Sequence, residues 1–354
     1  MSRRSADHGL RMPAEWAPHE ATWIGWPHHE PDWPGKLAPI PWVYAEIVRA
    51  LAPHERVEIL CHSEEVRAQA QHHLDAHGVH TGGYRLHVVP SDRVWLRDSG
   101  AATVLDQAGR ASLVNWKFNG WAKYENHLLD AKIGEAMSRI TSFARHEPLR
   151  PDGGGRVVLE GGAIDVNGAG RLLTTEECLL STVQERNPGM ERADYERVFA
   201  EWLGISDTIW LGNGCAGDDT HGHVDDIARF TSADTIVLAY EPDPSDDNHE
   251  SSADNLRRLQ LAGGDAGTLR IVTVPYPRPV LMEGVRLPAS YANFYIANGV
   301  VIVPTFNDAN DRVALNTLAE LFPGRQIVGI HSVDLVWGLG TLHCLSQQQP
   351  RAGR

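Results

Sequence analysis

Short apolar runs recur from one end of the chain to the other, each closed by Gly, Pro or Asp. Runs at residues 56–60, 86–90, 208–211, 235–239, 270–274, 299–303 and 325–330 predict strands. Between them, residues 41–52, 64–77, 127–140, 189–203, 251–262 and 311–322 read as helices, many bounded by Pro or Gly. Alternating strands and helices place the chain in the α/β or mixed α+β class. No low-complexity linker divides it, and the polar stretch 241–253 reads as a surface loop. The sequence carries no obvious repeat. Its strand–helix units recur at a loose spacing of about 60–70 residues, which permits a radial repeat without establishing one.

Composition narrows the class. With 42% hydrophobic and 22% charged residues, the 354-residue chain can bury a large core without staples. No run of about 18 apolar residues is present, so a membrane span is not expected. The arginines at the N-terminus have no apolar stretch behind them, so a secretory signal is not expected either, and the expected location is cytoplasmic. The net charge of -14 disfavours nucleic acid and anionic membranes as partners and mildly favours a cationic ligand. Cys61, Cys178, Cys215 and Cys344 lack C-x-x-C spacing, which argues against a disulfide framework or a cysteine-rich zinc site. Each is then either buried filler or a reactive thiol.

Four segments concentrate chemistry: residues 92–98, 159–162, 217–225 and 338–350. Cys344 follows a glycine-rich turn, a setting for close backbone approach rather than core filling. His343 beside it would point elsewhere on an extended segment. Trp95 reads as a half-buried aromatic, and Glu160 before two glycines as a turn residue. His221, His223 and Asp225 alternate, as metal ligands on one strand face would, although His249 and His331 are too isolated to complete a cluster. Spacing alone does not choose between a metal site, thiol chemistry and a polar loop.

Together, in order, the segments resemble the agmatine deiminase family of the guanidine-modifying superfamily, which includes peptidylarginine and arginine deiminases. The resemblance runs through Met12-Pro13-Ala14-Glu15-Trp16, Trp23-Ile24-Gly25-Trp26-Pro27, Trp95-x-Arg97-Asp98, Lys117-Phe118-Asn119-Gly120-Trp121 and Leu159-Glu160-Gly161-Gly162. It continues through residues 172–180, Gly217-Asp218-Asp219-Thr220, Gly222-His223-Val224-Asp225, Ser290-Tyr291-x-Asn293-Phe294-Tyr295 and His343-Cys344 with Gln347-Gln348. It spans about residues 12 to 350, and many ordered matches make it specific.

The resemblance implies a single catalytic domain over residues 1–354. Its fold would be a five-bladed α/β propeller (pentein) of pseudo-fivefold symmetry, with the site in the central channel. It implies hydrolytic deimination of a small cationic guanidine, agmatine first, free or peptidyl arginine next, without metal or other cofactor. Cys344 would be the nucleophile, His223 the general acid/base and Glu160 its orienting partner. Asp98 and Asp225 would hold the guanidinium between walls formed by Trp95 and Trp121. Asp218 and Asp219 are the acidic candidates for a distal ammonium. A small-molecule guanidine is the expected partner, with no nucleic acid or membrane, and a homo-oligomer is compatible with the sequence. The chain departs from the family pattern at His221, where an aspartate is usual. It departs again at Gly338-Leu339-Gly340-Thr341, where the family reads Gly-Gly-Gly-Asn. Both departures flank the matched catalytic positions and bear on which guanidine is bound.

Overall fold

The structure, a computed structural model, describes residues 9–79, 81–263 and 269–353. One unit recurs through it. A strand pairs antiparallel with the next strand in the chain, a helix follows, and a third strand joins parallel to the second. This builds Ala102–Leu105, Ala111–Val114 and Ala144–His146, then Asp165–Val166, Arg171–Thr175 and Asp207–Leu211. It builds Ala228–Phe230, Thr235–Tyr240 and Arg270–Pro275, then Tyr295–Ala297, Val300–Thr305 and Gln326–His331. A fifth sheet joins the two ends of the chain. Ser346–Pro350 lies antiparallel to His19–Gly25, which is parallel to Arg56–Cys61, itself parallel to Tyr84–Val88. The fold is mixed α/β, and a short hairpin, Leu281–Met282 with Val285–Arg286, lies outside the repeat.

Local chemistry explains the elements. Thr235–Tyr240 and Val300–Thr305 are buried along almost their whole length, as expected of central strands covered on both faces. Their parallel partners, Arg270–Pro275 and Gln326–His331, are largely partly exposed and more polar. The connecting helices start and stop where side chains satisfy their free backbone groups. Asp308 and Asp311 form a capping box on Ala309–Leu321, Ser63 caps Glu64–Ala76, and Gly204 at φ +70° ends Arg192–Leu203.

Differences from the sequence reading are local. The expected helix over 127–140 is a 3-10 turn, Asp130–Lys132, followed by Ile133–Thr141. Asp130 is held back because its carboxylate accepts the backbone N–H groups of Asp92 and Arg93. The polar stretch 241–253 is a loop only in its first part, since the helix His249–Gly263 starts inside it. Among the described residues, no helix is long and apolar enough to cross a membrane.

The sheet joining the chain ends contains a buried polar contact, the Trp23 indole N–H donating to Gln349 Oε1 at 2.9 Å. Gln349→Leu should cost about 1–3 kcal/mol in urea unfolding, because the buried indole N–H is left without an acceptor. Adding Trp23→Phe, which removes the donor, should recover part of that loss.

Candidate active site

The candidate residues come from corresponding places in the repeat. In each unit they lie just before the antiparallel strand that opens it. Trp95 and Asp98 precede Ala102–Leu105, Glu160 precedes Asp165–Val166, and His223 and Asp225 precede Ala228–Phe230. Asn293 precedes Tyr295–Ala297, and His343 and Cys344 precede Ser346–Pro350. In three of these places the chain makes a single helical turn, Leu96–Ser99, Gly161–Ala163 and Val224–Asp226, which brings backbone and side chains inward together.

Cys344, 6% exposed, lines a cleft. Trp95, Trp121, Tyr124, Asp98, Asp219 and Leu339 also line the cleft. Its sulfur is 3.7 Å from Asp225 Oδ2 and 3.0 Å from Asn293 Nδ2. Asn293 fixes the thiol loop by accepting from Thr341 Oγ1 at 2.7 Å and from the His343 N–H at 3.0 Å. Asp98 accepts from the Trp121 indole at 2.9 Å and from the Gly162 N–H at 3.0 Å. A Cβ on Gly162 would lie 2.5 Å from His223 Nδ1, so glycine is what lets the backbone come this close. His223 stands between two carboxylates, Nδ1 3.8 Å from Asp98 and Nε2 3.8 Å from Glu160, too far for direct hydrogen bonds. Both ring nitrogens, Glu160 Oε2 and Asp225 Oδ1 are buried without a hydrogen-bond partner.

Electrostatics separates these groups. Burial pushes Asp98 up to about 6, with the charges of Asp225 and Glu160 adding to burial and His223 opposing it. Burial would raise Glu160 too, but the Arg186 guanidinium, 3.2 Å away, and His223 hold it down at about 2. Burial alone would lower the pKa of His223; Asp98 foremost, with Cys178 and Glu160, raises it well above the usual imidazole value. The Cys344 thiol is pushed well up by burial, then by Asp225, Asp226 and Asp98. Burial and the neighbouring Asp225 likewise raise Asp226 well above the carboxylate range.

The structure places Cys344, Asp98, Trp95 and Trp121 on one cleft, with Asp225 against Cys344 and His223 between Asp98 and Glu160. It does not gather the set His221, His223 and Asp225 as an ion would require. His221 takes φ +64°, and its Nε2 meets Ser181 Oγ at 3.0 Å, behind the cleft wall. Donor atoms within 4.8 Å of one another come instead from Glu160, Cys178 and His223, and from Asp225, Asp226 and Cys344, among the described residues. Arg186 beside Glu160 opposes a divalent ion at the first trio. Asp218, expected with Asp219 as a distal acidic contact, turns into its own loop. It accepts from Thr220 at 2.7 Å and from the Gly222 and His223 N–H groups at 2.7 and 3.1 Å. Asp219 lines the cleft and accepts from Tyr124 Oη at 2.6 Å, with Lys123 against its other oxygen. The sequence reading gave no site role to Asn293, Arg186, Cys178, Glu15 or Asp226. Asn293 and Glu15 lie within its matched segments, and that was the only signal for them.

A buried thiol facing carboxylates and a histidine on a repeated α/β fold defines a candidate hydrolase or transferase centre for a cationic carbon. A family model for Porphyromonas-type peptidyl-arginine deiminases matches residues 11–350, and the chain belongs to that family. It is 35% identical to an agmatine deiminase of Pseudomonas aeruginosa (strain LESB58), over 97% of this chain and 96% of the relative. An agmatine deiminase structure from Enterococcus faecalis superposes with a TM-score of 0.88 at 28% identity, covering 99% of each chain. A putative arginine deiminase structure from Porphyromonas gingivalis superposes with a TM-score of 0.83 at 34% identity, covering 97% of this chain and 98% of that one.

Arg186 and Glu160 are both fully buried as a pair. Arg186→Met leaves Glu160 without its main counter-charge and should destabilise the fold by about 3–5 kcal/mol, read as a lower denaturation midpoint. A midpoint equal to wild type would show that His223 alone compensates Glu160.

Proposed function

We propose that the protein hydrolyses agmatine to N-carbamoylputrescine and ammonia through a covalent intermediate on Cys344. One observation carries this reading: a buried sulfur lines a cleft with Asp98 and lies 3.7 Å from Asp225, whose Oδ1 has no hydrogen-bond partner among the described residues. A guanidinium presents paired, planar N–H groups to such carboxylates and brings the charge they lack. Asp219 also lines the cleft and is the acidic contact for agmatine's distal ammonium, with Trp95 and Trp121 as walls.

The resting thiol is disfavoured as thiolate by its acidic neighbours. The bound cation reverses that balance, so the nucleophile is made where the substrate is. The thiolate attacks the guanidinium carbon and a C–S bond forms. His223 gives its proton to the departing nitrogen, the C–N bond breaks, and ammonia leaves a thiouronium on Cys344. His223, now neutral, takes a proton from water, whose oxygen attacks the same carbon. The C–S bond then breaks to give the ureido product and the thiolate, and the second water proton leaves with the ammonia as ammonium. Glu160, kept ionised by Arg186, favours the protonated form of His223 between steps.

In this reading the five sheets are blades round one axis, a five-bladed propeller, and the chain is one catalytic domain over residues 1–354. The support is that the five corresponding segments meet in side-chain contacts, Cys344 with Asp225 and Asn293, and His223 beside Asp98 and Glu160. A cytoplasmic location and a homo-oligomer belong to the same reading.

Ammonia release should be seen with agmatine for the wild type and lost in Cys344→Ala, run in parallel over a panel of guanidines that includes free arginine. Thiol alkylation should abolish turnover and a chelator should not. Turnover retained by Cys344→Ala would sink the proposal.

Asp98 also sets a pH dependence. Its carboxyl titrates at about 6, so below that pH it gains a proton and loses the charge that attracts the guanidinium. The ratio kcat/KM should fall as pH drops through about 6, because the free enzyme's essential ionisations govern it. A profile flat down to about pH 5 would remove Asp98 from guanidinium binding.

A further inference from the structure

Cys344 is not the only group that reaches Asp225 Oδ2. His343 Nδ1 lies 2.6 Å from the same oxygen, and its other ring nitrogen, Nε2, lies 2.8 Å from Glu15 Oε2. All three side chains are buried. Asp225 and Glu15 thus face the two edges of one imidazole, which cannot rotate without giving up one contact.

Glu15 is itself held fast, although it lies far from the site in sequence. Its Oε1 accepts the Ile296 N–H at 2.8 Å and is 2.9 Å from Arg229 Nη2. Arg97 Nη2 donates to Oε2 at 3.3 Å. Arg97 is the residue before Asp98 and also donates to Gln348 at 2.7 Å. Glu15 is therefore anchored by groups from three separate units of the fold, and His343 passes that anchorage to Asp225. Asp225 lacks the indole and backbone donors that fix Asp98, so His343 is its main hydrogen-bond partner. With Oδ2 taken up by His343, the unpartnered Oδ1 is the oxygen left for a ligand.

We propose that Glu15 and His343 are positioning residues, which hold Asp225 by one oxygen so that the other is presented to the guanidinium. This rests on the reading of Asp225 as a guanidinium contact. A buried hydrogen bond to a charged group is a strong one, and losing it leaves the carboxylate free to turn toward the sulfur.

The test is steady-state kinetics with agmatine on Asp225→Asn, His343→Leu, His343→Asn and Glu15→Gln, with folding checked by near-UV circular dichroism. Loss of a contact made in both ground and transition state appears in KM. His343→Leu should raise KM about tenfold to hundredfold with a much smaller change in kcat. His343→Asn keeps an amide donor near the Nδ1 position and should bring KM back to within about threefold of wild type. Glu15→Gln should raise KM by less than His343→Leu. A role confined to stability would lower the denaturation midpoint in both His343 variants and give no rescue of KM by asparagine. Equal KM in His343→Leu and His343→Asn, or an unchanged KM in folded His343→Leu, would overturn the inference. If His343→Leu does not fold, Glu15→Gln decides: a KM rise with kcat held supports it, and an unchanged KM overturns it. Asp225→Asn separates the two readings. If it leaves KM unchanged, the guanidinium contact itself fails; if it raises KM while His343→Leu does not, only the positioning role fails.

Discussion

The site depends on keeping several carboxylates and a thiol buried close together. Burial raises the cost of every anion there, and each neighbour adds to it. Position relative to a cation therefore decides which group stays ionised. Glu160 has Arg186 beside it and sits at about 2, whereas Asp98 has no arginine beside it and rises to about 6. Asp225 stays low despite complete burial because His343 donates to it, while Asp226 next to it is driven well up. Residues of one type thus take different protonation states within one cleft, as acid–base chemistry near neutral pH requires.

Such a charge arrangement needs a rigid frame, and the repeated sheet unit provides it. No single segment holds the site. Each unit contributes a short turn before its opening strand, and the turns are joined by hydrogen bonds between residues far apart in sequence. Asn293 ties the thiol loop, Arg97 ties the Asp98 turn to Gln348, and Glu15 ties the N-terminal segment to Ile296. The pairing of Ser346–Pro350 with His19–Gly25 joins the two ends of the chain next to Cys344. Moving one turn would disturb contacts in several units, which suits a reaction that tolerates little displacement.

This organisation also explains what could be read in advance. Strands such as Thr235–Tyr240 and Val300–Thr305 were legible because burial on both faces leaves a continuous apolar run. The helix expected over 127–140 began late because a tertiary contact at Asp130 outweighed local pattern. Cys344, His223, Glu160, Asp98 and Asp225 could be named as candidates because they stand in short ordered motifs, and the fold places them close together. Arg186 and Asp226 could not, because their importance lies in contacts across the fold that no local spacing reveals. His343 was set aside on the assumption of an extended backbone. The chain turns there instead, with the Leu345 N–H bonded to Thr341 O, so His343 and Cys344 reach the same carboxylate oxygen.

The two departures from the family pattern fare differently once they are placed in space. His221 is two residues from His223, yet its ring is turned onto Ser181 and Glu177, behind the wall. Any effect on a ligand must pass through the backbone of its loop, which Asp218 already holds from both sides. Leu339 stands where glycine is usual and adopts φ +66°, a conformation that costs a side-chain-bearing residue about 1 kcal/mol or more. Its neighbour Gly340 admits no side chain, since a Cβ there would meet the Trp95 ring at 2.8 Å. Leu339 lines the cleft and also packs against the apolar cluster of Leu287, Tyr291 and Val336. Of the two changes, it is Leu339 that lines the cleft.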